Sequence, residues 1–243
     1  MSNLLLLRRR LLLGNKKVSI HDYIVDSNTK LWLDGVNNNG LDVEHSNTLE
    51  NGWVDLSGNC DPTPLGTGNT VLDNCVQSDG TDKGRISVPN VEPLDITGDL
   101  TIELVYTRLG SEVTNAVILG RTYTTSYYVN TANNNLTFWI AGQKAEDKSG
   151  QVLNNKKWYA QMIHNSTGNL NTIYLNNEYV AEASVGRLQT NTGKLELFGF
   201  SGNGTKLNGN IYAVRIHNKI LTNEELKHNF ELDYLRFGGY DVG

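Results

Sequence analysis

The chain has 243 residues, 38% of them hydrophobic, with four Trp and eleven Tyr, enough for one substantial core. Its formal charge of −5 is unevenly spread: residues 1–21 carry five cations and no acid, while the rest has 16 Lys and Arg against 26 Asp and Glu. That balance excludes a body that binds nucleic acid over its whole surface, and 31 Asn with 24 Gly suit a strand-rich chain with many turns, because both tolerate positive φ.

The first predicted unit, residues 1–22, is a basic, leucine-rich arm: Leu4, Leu5, Leu6, Leu7, Arg8, Arg9, Arg10, Leu11, Leu12, Leu13. A signal peptide sets its charges ahead of an unbroken apolar run of ~7–15 residues and a small-residue cleavage site. A spanning helix needs ~20 apolar residues. Neither pattern is here. On a helical wheel the leucines fall on every side, and in a strand Arg9 shares a face with Leu5, Leu7, Leu11 and Leu13, so no amphipathic stripe forms. The segment reads as a docking arm, with leucines for the apolar pockets of a partner and arginines for its carboxylates. Nucleic acid is the lesser reading, since the leucines add little to phosphate binding.

Beyond the arm, period-two patterning with turn residues predicts strands near 30–34, 53–57, 70–78, 84–89 and 99–107. Others follow near 117–120, 126–129, 136–141, 158–164, 195–200 and 210–217. Asn176-Asn177 joins 172–175 to 179–183 as a two-residue hairpin. Many short strands joined by turns predict an antiparallel sandwich.

One helix is predicted over about 222–236. Thr222 and Glu225 make a capping box, flanked by Leu221 and Leu226 at staple positions. Leu226, Phe230 and Tyr234 form one stripe, and Gly238-Gly239 ends the run. Cys60 and Cys75 leave two readings open, a disulfide or two free thiols.

Three stretches carry a resemblance: Leu33-Asp34-Gly35-Val36-Asn37-Asn38, Trp53-Val54-Asp55-Leu56-Ser57-Gly58-Asn59 and Ser78-Asp79-Gly80-Thr81-Asp82. Together they resemble the opening of laminin-G-like, concanavalin A-like domains, a version frequent in bacteriophage and prophage structural proteins. The 173–178 hairpin resembles the family's own, with Asn177 where Gly is usual, and 209–222 and 229–237 resemble its last strand and closing segment. The resemblance spans about 23–240. It implies an all-β jelly-roll sandwich over 23–243 with one C-terminal helix.

Such a fold hosts lectins, glycosidases and structural modules, so chemistry must be sought in the residues. A glycosidase needs two carboxylates facing each other ~5–9.5 Å apart. Glu103 is alone in the best-patterned strand and Glu196 is alone in its own, each expected to face solvent or a local partner. G-x-S-x-G, H-E-x-x-H and P-loop motifs are missing, and the five histidines have no ligand spacing. For calcium, the resemblance points to loop carboxylates, and Asp34, Asp79 and Asp82 are the candidates. Asp-Gly is equally a turn signal, and these acids fall short of the 6–8 oxygens calcium takes.

For carbohydrate, aromatic faces beside amides are the chemistry to look for, and Tyr123, Tyr127, Tyr128 and Asn130 offer it. Parity sets Tyr127 and Tyr128 on opposite faces of a strand, one in the core and the other exposed. The expectation is a non-enzymatic virion protein made in the host cytoplasm: a capsid decoration, head-fibre or tail-associated protein. It would be multi-copy or homo-oligomeric, docked to capsid or tail proteins through the arm, with no cofactor and no membrane span. The alternative is an adhesin for host surface glycans.

Overall fold

The structure, a computed structural model, describes residues 18–238 apart from 41–44, 51, 61, 90–91, 111–114, 151 and 202–204. The arm residues Leu4 to Leu13 therefore lie outside the described residues. Two antiparallel sheets face each other. The first contains β1 (Thr29–Asp34), β3 (Asn69–Leu72), β4 (Cys75–Asp79), β6 (Leu100–Arg108), β11 (Lys157–Asn165), β12 (Leu170–Leu175), β13 (Glu178–Ser184) and β16 (Asn208–His217). Its order is β13-β12-β11-β6-β16-β4-β3, and β1 pairs with the upper half of the β16 edge whose lower half takes β4.

The second contains β2 (Thr63–Pro64), β5 (Ile86–Val88), β7 (Asn115–Gly120), β8 (Tyr127–Ala132), β9 (Asn135–Ile140), β10 (Gln143–Glu146), β14 (Leu195–Leu197) and β15 (Thr205–Lys206). Its order is β10-β9-β8-β7-β14-β5-β2, with β15 parallel to β7.

Alternation decides what each strand buries. In β6, Leu100, Ile102, Leu104 and Tyr106 enter the core between the sheets, while Thr101, Glu103, Val105 and Thr107 point the other way. All nine residues of β6 are nonetheless buried, because helix α1 (Asn223–Phe237) covers the outer face of the first sheet. Phe230 and Phe237 pack there on Val105, Tyr159 and Ala213.

Asparagine pairs close two hairpins, of which the Asn176-Asn177 turn was the expected one. Asn133-Asn134 (φ 50° and 61°) joins β8 to β9, and Asn176-Asn177 (φ 52° and 63°) joins β12 to β13. These are the paired left-handed residues of a primed turn.

Several expectations change. Residues 53–57 form no strand: Trp53 is fully buried and donates its indole N–H to the Asp34 carbonyl, while Asp55 builds a turn on the Ser57, Asn59 and Cys60 amides. The strand expected over 70–78 is the hairpin β3–β4, broken by the polar pair Asp73-Asn74. Cys60 and Cys75 are not joined in a disulfide.

Candidate functional site

Two faces gather the chemistry-bearing side chains. On the outer face of the first sheet, one cross-strand row runs Trp32–Arg215–Glu103–Gln161. Glu103, expected to face solvent or a local partner, is instead sealed under α1 with partners far away in sequence. Its Oε2 accepts from Arg215 Nε at 2.9 Å and Asn229 Nδ2 at 3.0 Å, and His217 Nε2 lies at 3.1 Å. Arg215 also forks onto Asp233 of the helix at 3.0 and 2.5 Å. Burial opposes the Glu103 charge, but Arg215 and His217 outweigh it and hold the carboxyl at about 2. Burial pushes Asp233 the other way, upward, in spite of Arg215.

The segment just after the arm is fastened to the same helix. Arg236 donates to the Val18 carbonyl at 2.6 Å, and His228 Nε2 lies 2.8 Å from the Asp22 carbonyl. The Tyr23 hydroxyl donates to Asp233 at 2.9 Å, and the Ile24 amide donates to Asn229 at 3.1 Å. Apart from His228, which is exposed, these groups are buried or half-buried and engaged with one another, so this face is a clasp.

The outer face of the second sheet differs. Phe138 and Ile140 of β9 and Tyr127 and Val129 of β8 enter the core, which turns Trp139, Tyr128 and Asn130 outward. Trp139, Tyr123, Tyr128 and Phe200 make one aromatic strip, with successive ring centroids 5.1, 6.1 and 6.1 Å apart. Tyr123, Trp139 and Phe200 are half-buried and give the strip its solvent-facing surface.

Tyr128 lies over Gly120, where a Cβ would come within 2.4 Å of its ring. Burial, with Tyr123 adding to it, raises its phenol to about 12. Only glycine at 120 leaves space for that ring.

Asn130 sets the tryptophan. Its Oδ1 accepts the Trp139 indole N–H at 2.8 Å and the Thr137 hydroxyl, and its Nδ2 donates to Asn115 Oδ1 at 2.6 Å. The strip ends in ion pairs: Lys144–Glu146 at 2.9 Å beyond Trp139, and Arg85–Glu196 at 2.7 Å beyond Phe200.

Of the carbohydrate candidates, Tyr123, Tyr128 and Asn130 come together and Tyr127 does not. The Tyr127 ring is core and its hydroxyl donates to the Leu94 carbonyl at 3.2 Å. The expectation that the other tyrosine is exposed also fails, because Tyr128 is only 4% exposed between Tyr123 and Phe200. Trp139, Phe200 and Lys144 were missed. The apolar run Leu136–Ile140 hides which aromatic faces outward, though parity from a core Phe138 would have found Trp139.

The calcium candidates do not converge. Asp34 pairs across from Ala213 and Asp79 from Asn208, five residues or about 17 Å apart along β16. Asp34 is fully buried and taken by a two-pronged contact from Arg236 at 2.8 and 3.0 Å. Asp79 accepts from Thr81, and Asp82 pairs with Arg85 and Lys206. Among the described residues, no group of three His, Cys, Asp or Glu is placed to hold a metal.

Comparisons with known proteins agree on the fold. A laminin G-type family model of the concanavalin A-like lectin/glucanases superfamily matches residues 79–227. No curated protein matches. The ligand-binding domain of botulinum neurotoxin serotype D, solved with N-acetylneuraminic acid, is 15% identical with a TM-score of 0.63 over 84% of this chain and 50% of that one. The binding domain of Paraclostridial Mosquitocidal Protein 1 is 14% identical, with a TM-score of 0.63 over 84% of this chain and 52% of its own. Trypanosoma rangeli sialidase is 13% identical, with a TM-score of 0.63 over 86% of this chain and 33% of its own. The chain thus spans half or less of the length of the serotype D domain and the sialidase, and about half of the mosquitocidal domain.

Proposed function

This chain belongs to the concanavalin A-like lectin/glucanases superfamily, and from that premise we propose that it is a non-enzymatic, lectin-like module binding glycan on the aromatic strip of its second sheet. The strip carries the reading. Half-buried rings of Tyr123 and Trp139, 5.1 Å apart, stand beside amide, ammonium and carboxylate groups on an open face. A sugar ligand also accompanies one similar structure, the toxin ligand-binding domain solved with N-acetylneuraminic acid, of which this chain spans 50%.

Catalysis is not supported on that face. Its carboxylates Glu146 and Glu196 sit on β10 and β14, four strand spacings or about 19 Å apart, against the ~5–9.5 Å a glycosidase needs. A glycan array run with and without calcium tests the reading. Hits that disappear in Trp139→Ala support it. Silence in both conditions removes it, and hydrolysis of any bound glycan overturns the non-enzymatic part.

The finer role we infer is that of a bacteriophage virion component, a capsid decoration, head-fibre or tail-associated protein held on the particle by its arm. Two features support it: the five cations of residues 1–21 set against an acidic remainder, and the fastening of residues 18–24 to α1.

A further inference from the structure

The ring of Trp139 is fixed by several contacts, and the cation beside it is tied to a single carboxylate. Asn130 and Thr137 take the indole N–H at 2.8 and 3.2 Å, and Tyr123 packs an edge against the ring. The indole therefore has its donor already used and can meet a ligand only through its face. Lys144 lies directly opposite Trp139 in the β9–β10 register, and its ammonium sits 5.3 Å from the ring centroid.

The ammonium is held there by Glu146, two residues on along the same face of β10, which is an edge strand. The Lys144 side chain is 36% exposed, at the end of a four-carbon stem with many rotamers. Glu146 has a second tie, from Asn135 Nδ2 at 3.4 Å, that does not depend on Lys144.

We propose that Lys144 determines the ligand class of the strip, selecting acidic pyranosides such as sialic or uronic acids over their neutral counterparts. This rests on the glycan-binding reading above. A neutral sugar stacking on Trp139 must push the ammonium off the ring and gains nothing for it. An acidic sugar stacks through its apolar ring face and presents a carboxylate that replaces Glu146 on Lys144, so the cation stays paired throughout. No bond is made or broken; one carboxylate partner is exchanged for another.

The test is calorimetric titration of the full chain with 3′-sialyllactose against lactose, and with glucuronate-ended against glucose-ended oligosaccharides, at low and high salt. The acidic member of each pair should bind at least tenfold tighter at low salt, and the gap should narrow as salt rises. Lys144→Met should abolish the preference while keeping or improving neutral binding. Glu146→Gln, which frees the ammonium, should sharpen the preference. Equal affinities in the unaltered chain, or a preference that survives Lys144→Met, overturn the selection and leave glycan binding standing. No binding of either class to any of the three proteins overturns both.

Discussion

A single carboxylate shows how this fold uses charge. Glu103 is 2% exposed, yet it is held ionised because Arg215, His217 and Asn229 converge on one oxygen. Its carboxyl drops from the ordinary 4.5 to about 2. A depressed carboxyl stabilises the folded state above pH ~4.5 and loses that contribution as pH falls toward 2, about 3 kcal/mol in all by linkage. Glu103→Gln should therefore lower stability at neutral pH and flatten its decline between pH 5 and 2, read by urea melts across that range.

The sequence saw Glu103 as an isolated acid because its partners lie more than 100 residues away, and only strand register joins them. The same blindness affected Tyr127 and Tyr128. Parity separated them correctly, but Phe200 and Tyr123, which cover Tyr128, come from outside its strand.

At the level of elements, local signals were read well where their physics is local. The helix expected over 222–236 runs Asn223–Phe237, with the capping box formed: the Glu225 amide donates to Thr222 Oγ1 at 3.2 Å, and the Thr222 amide donates to Glu225 Oε2 at 2.7 Å. Thr222→Ala should cost about 1 kcal/mol in denaturant melts, with Thr222→Ser recovering most of it. The Asn-Asn hairpin was legible for the same reason, since two adjacent residues determine the turn. Short edge elements were not legible. The two-residue strands β2 and β15 are defined by the neighbours they pair with, and Trp53 looks like a strand residue although tertiary burial places it in a loop.

For the molecule as a whole, the boundary between arm and body matters most. Residues 18–24 belong with the body through their ties to α1, so a clean test of docking cuts before them. Deleting 1–17 should leave the melting temperature within a few degrees of the full chain and, on the proposed anchoring role, abolish incorporation into a virion. Unchanged incorporation would end the anchoring idea. Deleting 1–24 should lower the melting temperature as well, because it strips Tyr23 from Asp233 and from the Arg215 guanidinium, 4.8 Å above its ring. The fastening also has a mechanical meaning. Its four ties reach helix positions 228, 229, 233 and 236, about 12 Å of axis at 1.5 Å per residue. If the proposed arm anchors the protein, tension along it would be spread over that length and passed through Arg215 into β16, in the interior of the sheet, so the load would not fall on the end of β1 alone.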